Sequence, residues 1–183
     1  HRRIVEATRL LLASNDVDSI RVADIADSAG CSTATIHNHF PNALPDILAA
    51  ISEDIIQTAF KQFEKISKDF SGIELVRSYF KTVGEHISEQ ADVAVPSIAI
   101  SVDLASQGSW FDRKIFSDCK ELFKTAKETE QINGSHDQLA SLTHTFFQGA
   151  LYSWALGSIT SEEFLRMSTE SVDFAVSSCR GAP

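Results

Sequence analysis

The stretch VADIADSAGCSTATIHNHF, residues 22–40, decides how this chain is read. Val22, Ile25, Ala26 and Ala29 fall on one side of a short helix over 22–29. Gly30 follows, and glycine adopts at little cost the left-handed conformation that ends a helix. Ser32 is placed to cap a second short helix over 33–40, whose inner side holds Ile36 and Phe40. Two short helices around a three-residue turn that contains glycine make the helix-turn-helix pattern. Ile25 and Ala26, small or branched, let the first helix cross closely and brace the second. Thr33, Ala34, Thr35, His37, Asn38 and His39 then turn outward. Their side chains are short or flat enough to reach base edges and phosphates if the helix lies in a major groove.

On either side the apolar spacing stays helical. Ile4, Ala7, Leu11 and Leu12 share one face of a helix over 2–14, and the polar run 14–19 stops it. Pro45 suits the first turn of a long helix over 45–69, with Leu48, Ile51, Ile55, Ala59, Phe63 and Ile66 in helical register. Gly72 punctuates the chain before a helix over 73–90 marked by Ile73, Val76, Phe80, Val83 and Ile87. Pro96 reads as the first residue of a helix over 96–106. The run VAVPSIAISV has strand character too, but its internal proline and the lack of a partner strand argue against one. Helices over 110–130, 136–158 and 161–179 follow, the last capped by Thr160 or Ser161 with Glu162 and Glu163 in its first turn. The sum is an all-α fold of about nine helices. A boundary falls near residue 45, with short helices over 1–44 and a helical body over 45–183.

Composition narrows the function. The chain has 183 residues, 43% of them hydrophobic, with 8 glycines and 4 prolines, so a folded, helix-rich domain is expected rather than disorder. No apolar run reaches bilayer-spanning length, and the first residues do not read as a signal peptide. A start at His1 suggests further residues upstream. Cys31, Cys119 and Cys179 are too few and too widely spaced for a disulfide framework or a zinc site, which points to a reducing cytoplasm. His37 and His39, two positions apart on a helix, point in different directions and make no metal pair. Glu85 and Glu89 lie one turn apart on a face expected to be solvated, and His144 is expected to be an interior or interface histidine. No catalytic triad, Cys-His pair or phosphate loop is present, so no enzyme, cofactor or metal is expected.

These residues carry a family resemblance. Residues 4–48 resemble the DNA-binding domain of the tetracycline-repressor-like (TetR) family of bacterial transcription regulators. The likeness lies in the apolar first helix, the segment VADIADSAG, and the sequence CSTATIHNHFPN, whose last helix ends in the family's aromatic-x-His-Phe manner. The resemblance implies that Thr33, Thr35 and Asn38 face bases or sugar-phosphate and that His39 contacts a phosphate. It places Arg21 where the family usually has a phosphate-bonding threonine, a task an arginine performs with a charge-assisted bond. The chain departs from the family pattern at His37, where tyrosine is usual, at Ala43, where lysine is usual, and at Cys31 in place of valine. The segment before Asp46 is also one residue longer.

The resemblance further implies a homodimer on a roughly palindromic double-stranded operator and a repressor released by a small, apolar effector. Phe63, Phe80, Ile98, Val102, Trp110, Phe116 and Phe147 are the nominated pocket residues. Gly149, Ser153 and Gly157, spaced by four and flanked by Phe146, Ala150 and Trp154, are nominated for the dimer together with Phe164, Ser168, Ser171 and Ala175 of the last helix. Against DNA binding stands the charge of residues 1–50. Four arginines and no lysine face six acids, a net of −2, whereas affinity for DNA comes largely from phosphate neutralisation. The competing expectation is therefore a helical ligand-binding or interaction protein with little DNA affinity.

Overall fold

The computed structural model describes residues 1–103 and 110–179, and of these it leaves aside the side chains of 99–103 and 110–113. The described residues form nine α-helices and no strand: α1 (Arg2–Leu12), α2 (Val22–Ala29), α3 (Thr33–His39), α4 (Leu44–Ile66), α5 (Gly72–Ser88), α6 (Ala91–Asp103), α7 (Trp110–Thr129), α8 (His136–Ala155) and α9 (Ser161–Ser178). Short 3-10 turns at Val17–Ser19 and Ser67–Asp69 tighten two of the connections. The all-α reading holds, and α2 has the bounds its apolar spacing predicts.

Several helix ends differ from the predicted bounds by one to three residues, as α1 ends at Leu12 and α8 at Ala155, and two boundaries move for physical reasons. The long fourth helix ends at Ile66, because residues 67–69 wind into the tighter 3-10 form before turning away. The sixth helix does not begin at Pro96. It begins at Ala91 and carries Pro96 inside it. The Gln90 carbonyl accepts the amides of Val93 and Ala94 at 3.0 and 2.7 Å, so α6 starts almost directly off the end of α5. A proline at position 96 forfeits the bond to the Asp92 carbonyl, and Asp92 is exposed, where water can serve that group.

Helix α5 is central. It packs against α4, α7 and α9, and Val76, Tyr79, Phe80 and Val83 have no exposure at all. Its buried hydroxyls are satisfied within the helix: Ser78 Oγ donates to the Leu75 carbonyl at 2.8 Å and Thr82 Oγ1 to the Ser78 carbonyl at 2.8 Å. Ser168 and Ser171 of α9 do likewise toward Phe164 and Ser168. Such bonds let small polar residues occupy a dry helix–helix contact without an unpaired group. Around α5 run ring contacts from Phe63 to Tyr79, Phe80, Phe147, Phe164 and Trp154, each pair with centroids 5.0–5.9 Å apart. Buried residues from Ile4 to Cys179 form one continuous cluster, so α1–α3 share the core of the long helices through α1, which packs on α4 and α6.

The crossing of α5 and α9 is tight enough to predict its own weak point. A Cβ at Gly84 would lie 2.8 Å from Ser168 Oγ and 3.1 Å from Ser168 Cβ. Gly84→Ala therefore overpacks the contact. That cost exceeds the helix-propensity gain of ~1 kcal/mol, and the expected net loss in urea unfolding is about 1–2 kcal/mol. Adding Ser168→Gly should return part of it.

Candidate nucleic-acid interface

The turn between α2 and α3 is built by backbone chemistry. Gly30 sits at φ +63°, ψ +47°. Its amide donates to the Asp27 carbonyl at 3.2 Å while the Cys31 amide donates to the Ala26 carbonyl at 2.9 Å, the paired closure of a Schellman motif. At the start of α2 the Asp24 carboxylate accepts the Arg21 amide at 2.9 Å. Ser32 caps α3, its Oγ accepting the Thr35 amide at 3.2 Å and lying 2.9 Å from Thr35 Oγ1. The end of α2 and the start of α3 are thus both closed, and the angle between the two helices is set by residues 30–32.

Ile36 is fully buried and Phe40 nearly so, which fixes the inner side of α3. Thr33, Ala34, His37, Asn38 and His39 are exposed, as is Arg21, and Thr35 is half-buried. Thr35 also belongs to the cap, so its hydroxyl is shared between holding the helix and any outside partner. The His37 ring lies 3.5 Å from the Pro41 carbonyl through Nδ1. The His39 ring meets that of His1 edge-on at 6.4 Å, and His1 packs on Phe40 at 4.6 Å, so the start of α1 lies beside the end of α3.

The charge around this face is lower than the sequence count suggests. Arg9 is turned away from solvent, its guanidinium 2.8 Å from Asp54 Oδ2 of α4 and 2.9 Å from Gln90 Oε1. Arg2, Arg3 and Arg21 are the exposed arginines within residues 1–50, beside exposed Glu6, Asp16, Asp18, Asp24 and Asp27. Asp46 is occupied as well, accepting from the Asn42 amide at 2.8 Å and the Asn42 side chain at 3.1 Å.

Five of the seven nominated pocket residues have described side chains. Phe63, Phe80 and Phe147 belong to the packed ring series around α5, and Ile98 is buried on α6. Phe116 is half-buried with its ring 5.6 Å from that of His144. The side chains of Val102 and Trp110 lie outside the described residues. A cleft of about 600 Å³ opens elsewhere, between the start of α5, the α7–α8 turn and the end of α9, and none of the seven lines it. Its Arg77 is already paired with Glu74 and Asp173. A polar cluster that sequence spacing left unmarked lies inside the body. The buried Tyr79 hydroxyl donates to Asp118 Oδ2 at 2.9 Å, Lys114 pairs with the same carboxylate, and the Lys114 ammonium sits 4.2 Å over the Phe60 ring. Burial, with Asp118 adding to it, pushes the Tyr79 phenol well above its ordinary range. Burial likewise pushes the Cys119 thiol up, which makes it inert at neutral pH. Of these contacts only Lys114–Asp118, four residues apart on one helix, has a local sequence signal.

The residues nominated for the dimer divide by face. Ala150, Trp154, Phe164, Ser168, Ser171 and Ala175 are buried within the protomer, where they pack α8 and α9 on each other and α9 on α5. Trp154 stacks on Phe164 at 5.0 Å and donates its indole N–H to Ser161 Oγ at 3.0 Å. Phe146 and Ser153 are half-buried, and Gly149 and Gly157 are exposed. Small residues at helical spacing look the same from sequence whether they admit a neighbouring helix of the same chain or of another.

Glu85 and Glu89 are both exposed, as expected of a solvated face. No group of three or more His, Cys, Asp or Glu among the described residues is arranged to hold a metal ion, and no described helix is long and apolar enough to cross a membrane.

Comparison with known proteins agrees with this geometry. Residues 4–42 match the model of the TetR family of bacterial regulatory proteins. The sequence matches no curated protein. Thermus thermophilus FadR, a TetR family transcriptional repressor solved in complex with lauroyl-CoA, superposes with a TM-score of 0.74 at 14% identity, over 93% of this chain and 92% of the other. A TetR transcriptional regulator from Rhodococcus sp. RHA1 gives 0.71 at 14% identity, over 96% and 94%. The Rhodococcus erythropolis repressor QsdR, of the TetR family, gives 0.67 at 16% identity, over 100% and 96%. Over residues 4–42 the chain thus carries the sequence pattern of the TetR family of bacterial regulatory proteins, and over its length it has the fold of solved TetR-family transcription regulators.

Proposed function

We propose that this chain is a homodimeric, sequence-specific DNA-binding regulator, a repressor released by a small effector. The observation that carries the reading is the exposed polar face of α3, held outward by the burial of Ile36 and Phe40 on its other side. Residues 1–44 form the DNA-binding unit and residues 45–183 the effector-binding and dimerisation unit. Thr33, Ala34, Thr35, His37, Asn38 and His39 enter the major groove, and Arg21 bonds a phosphate at the start of α2. Two copies meet half-sites about a helical turn, ~34 Å, or a multiple of it apart, which requires a palindromic operator. The three cysteines are unpaired, in keeping with a cytoplasmic protein.

The effector has an apolar body. Support comes from the aromatic interior of the long helices and from a repressor of similar fold that carries lauroyl-CoA. Release follows from linkage: an effector that binds better to the arrangement whose α4 holds the two α3 helices at the wrong spacing must weaken DNA binding by the same factor. The dimer is formed by the outer side of α8 and α9. Gly149 is the key residue there. A helical glycine costs about 1 kcal/mol relative to alanine, yet a Cβ at Gly149 would meet nothing within 4 Å in the protomer. A second copy approaching there gives the residue its reason. Phe146, Ser153 and Gly157 continue that surface, joined by Phe174, whose ring lies 5.2 Å from Phe146 and which is 46% exposed.

One observation favours a second reading. With Arg9 withdrawn, residues 1–50 offer three exposed arginines to a polyanion, which suits a ligand-binding protein with little DNA affinity. Selection of genomic fragments bound by the protein, followed by a salt titration of the best site, separates the two. An inverted repeat with a steep salt slope supports the regulator. No enrichment after removal of any co-purified effector supports the second reading.

On a recovered operator, Asn38→Ala should weaken binding by about 1–3 kcal/mol at a defined base position. Arg21→Ala should lower affinity evenly across sequences and reduce the salt slope by about one. Gly149→Arg should sediment as a monomer with unchanged helix content, since the protomer has open space at that position; a surviving dimer places the interface elsewhere.

A further inference from the structure

The joint between α1 and the rest of the molecule contains a chain of polar side chains, from half-buried Arg9 and Gln90 to buried His86, whose hydrogen bonds run in one direction. Arg9 on α1 donates to Asp54 Oδ2 on α4 at 2.8 Å and to Gln90 Oε1 at 2.9 Å. Gln90 lies in the two-residue link between α5 and α6, and its amide nitrogen is 2.9 Å from His86 Nε2. Arginine can only donate, so the Gln90 atom facing it must be the carbonyl oxygen, which leaves the amide nitrogen for His86. An amide nitrogen also only donates, so His86 Nε2 must accept. The chain is consistent only with a neutral His86 that carries its proton on Nδ1. His86 is 8% exposed, and its Nδ1 is buried without a hydrogen-bond partner, 3.8 Å from Glu89 Oε2.

We propose that this chain is a proton-released latch: protonation of His86 turns the Gln90 amide round to accept from Nε2, breaks its bond to Arg9, and so frees Arg9 of α1 from the α5–α6 link. A proton on Nε2 faces the Gln90 amide hydrogens, donor against donor. Turning the Gln90 amide round restores that contact but sets its hydrogens against the Arg9 guanidinium. No orientation of Gln90 serves a charged His86 and Arg9 together. The groups facing His86 are Arg9 from α1, which opposes a second positive charge, and Asp54 from α4 and Glu89 from the end of α5, which favour it. Burial outweighs the two carboxylates and holds His86 below its ordinary value in the closed joint. The sign follows from linkage. A His86 freed into water regains its ordinary pKa of about 6.5, so the open joint binds protons more readily than the closed one. The latch is therefore fully closed above that pH. As pH falls below it, the ratio of open to closed rises by up to about tenfold per unit, until His86 in the closed joint itself titrates.

The test is nitrogen-15 NMR of the histidine rings and arginine side chains in the full chain without DNA, from pH 7.5 to 5.0. It stands apart from DNA binding, so its outcome leaves that reading untouched. Arg9 resonances are assigned by their loss in Arg9→Lys. The expected result is a neutral Nδ1–H tautomer at pH 7.5, with narrow Arg9 Nη resonances that broaden at the same midpoint as His86 protonates. In His86→Gln, whose carbonyl can accept the Gln90 amide without titrating, the Arg9 resonances should stay narrow throughout. In Gln90→Glu, whose carboxylate accepts from both neighbours, they should stay narrow at pH 5.0 with His86 protonated. An Nε2–H tautomer at pH 7.5 overturns the proposal. So do Arg9 resonances that ignore the His86 titration, or that broaden with acid in either variant. If His86→Gln does not fold, the Gln90→Glu result decides alone.

Discussion

Helix α5 keeps only the stripe of Glu74, Lys81 and Glu85 in water, so its neighbours must satisfy the rest of it completely, and that requirement organises the rest of the molecule. Its aromatic residues are matched by rings from α4 and α8, and those of α8 by Phe164 of α9. Its hydroxyls turn back onto its own carbonyls, and Tyr79, which cannot do so, finds Asp118 on α7. Helix α4 packs on α5 with one side and carries α1 on another. The position of α1–α3 is thus inherited from packing that begins in the middle of the chain. The other end of α5 is the source of the Gln90 link, so the same helix reaches α1 by a polar route as well as an apolar one.

How much of this the sequence disclosed depended on whether a feature was local. Gly30, Ser32 and the spacing of Ile25, Ala26 and Ile36 determine the helix-turn-helix by contacts within a few residues, and there the reading and the structure agree closely. The capping box of Thr160 and Glu163 is equally local. Backbone and hydroxyl donors at Thr160 hold the Glu163 carboxylate below its ordinary range. The start of α6 is masked in the sequence because Pro96 has the look of a first residue, while the helix is nucleated earlier by the Gln90 carbonyl. The orientation of small residues on α8 and α9 escaped for a different reason. Periodicity gives the face of a helix but not its neighbour, and Ser168 serves α5 while Gly149 serves open space. Arg9 with Gln90, 81 positions apart, and Tyr79 with Asp118, 39 apart, left no trace in local pattern at all.

The charge of the first 50 residues has a structural counterpart. An arginine is not a DNA contact merely because it lies in a DNA-binding domain. Arg9 sits on the domain's inner side, 14% exposed at its side chain, and its charge is met by Asp54. Arg2, Arg3 and Arg21 are the arginines left facing outward. If α3 enters a major groove as proposed, affinity for the polyanion draws on few contacts, with hydroxyl, amide and imidazole groups along α3 taking a larger share than phosphate-directed cations. Such a domain would discriminate bases more than it holds DNA in general, because little of its surface attracts the backbone without regard to sequence.

Gly84 and Ser168 together fill one space. The crossing of α5 and α9 leaves room for a hydrogen on one side and a hydroxymethyl group on the other, and close-packed interiors do not stretch to admit an extra methyl. The two positions therefore share a conserved total volume rather than each having a preferred residue. Among proteins of this lineage they should vary as a pair, an alanine at one meeting a glycine at the other. A chain that breaks the pairing must change the angle between α5 and α9, and with it the surface that α9 turns to the outside.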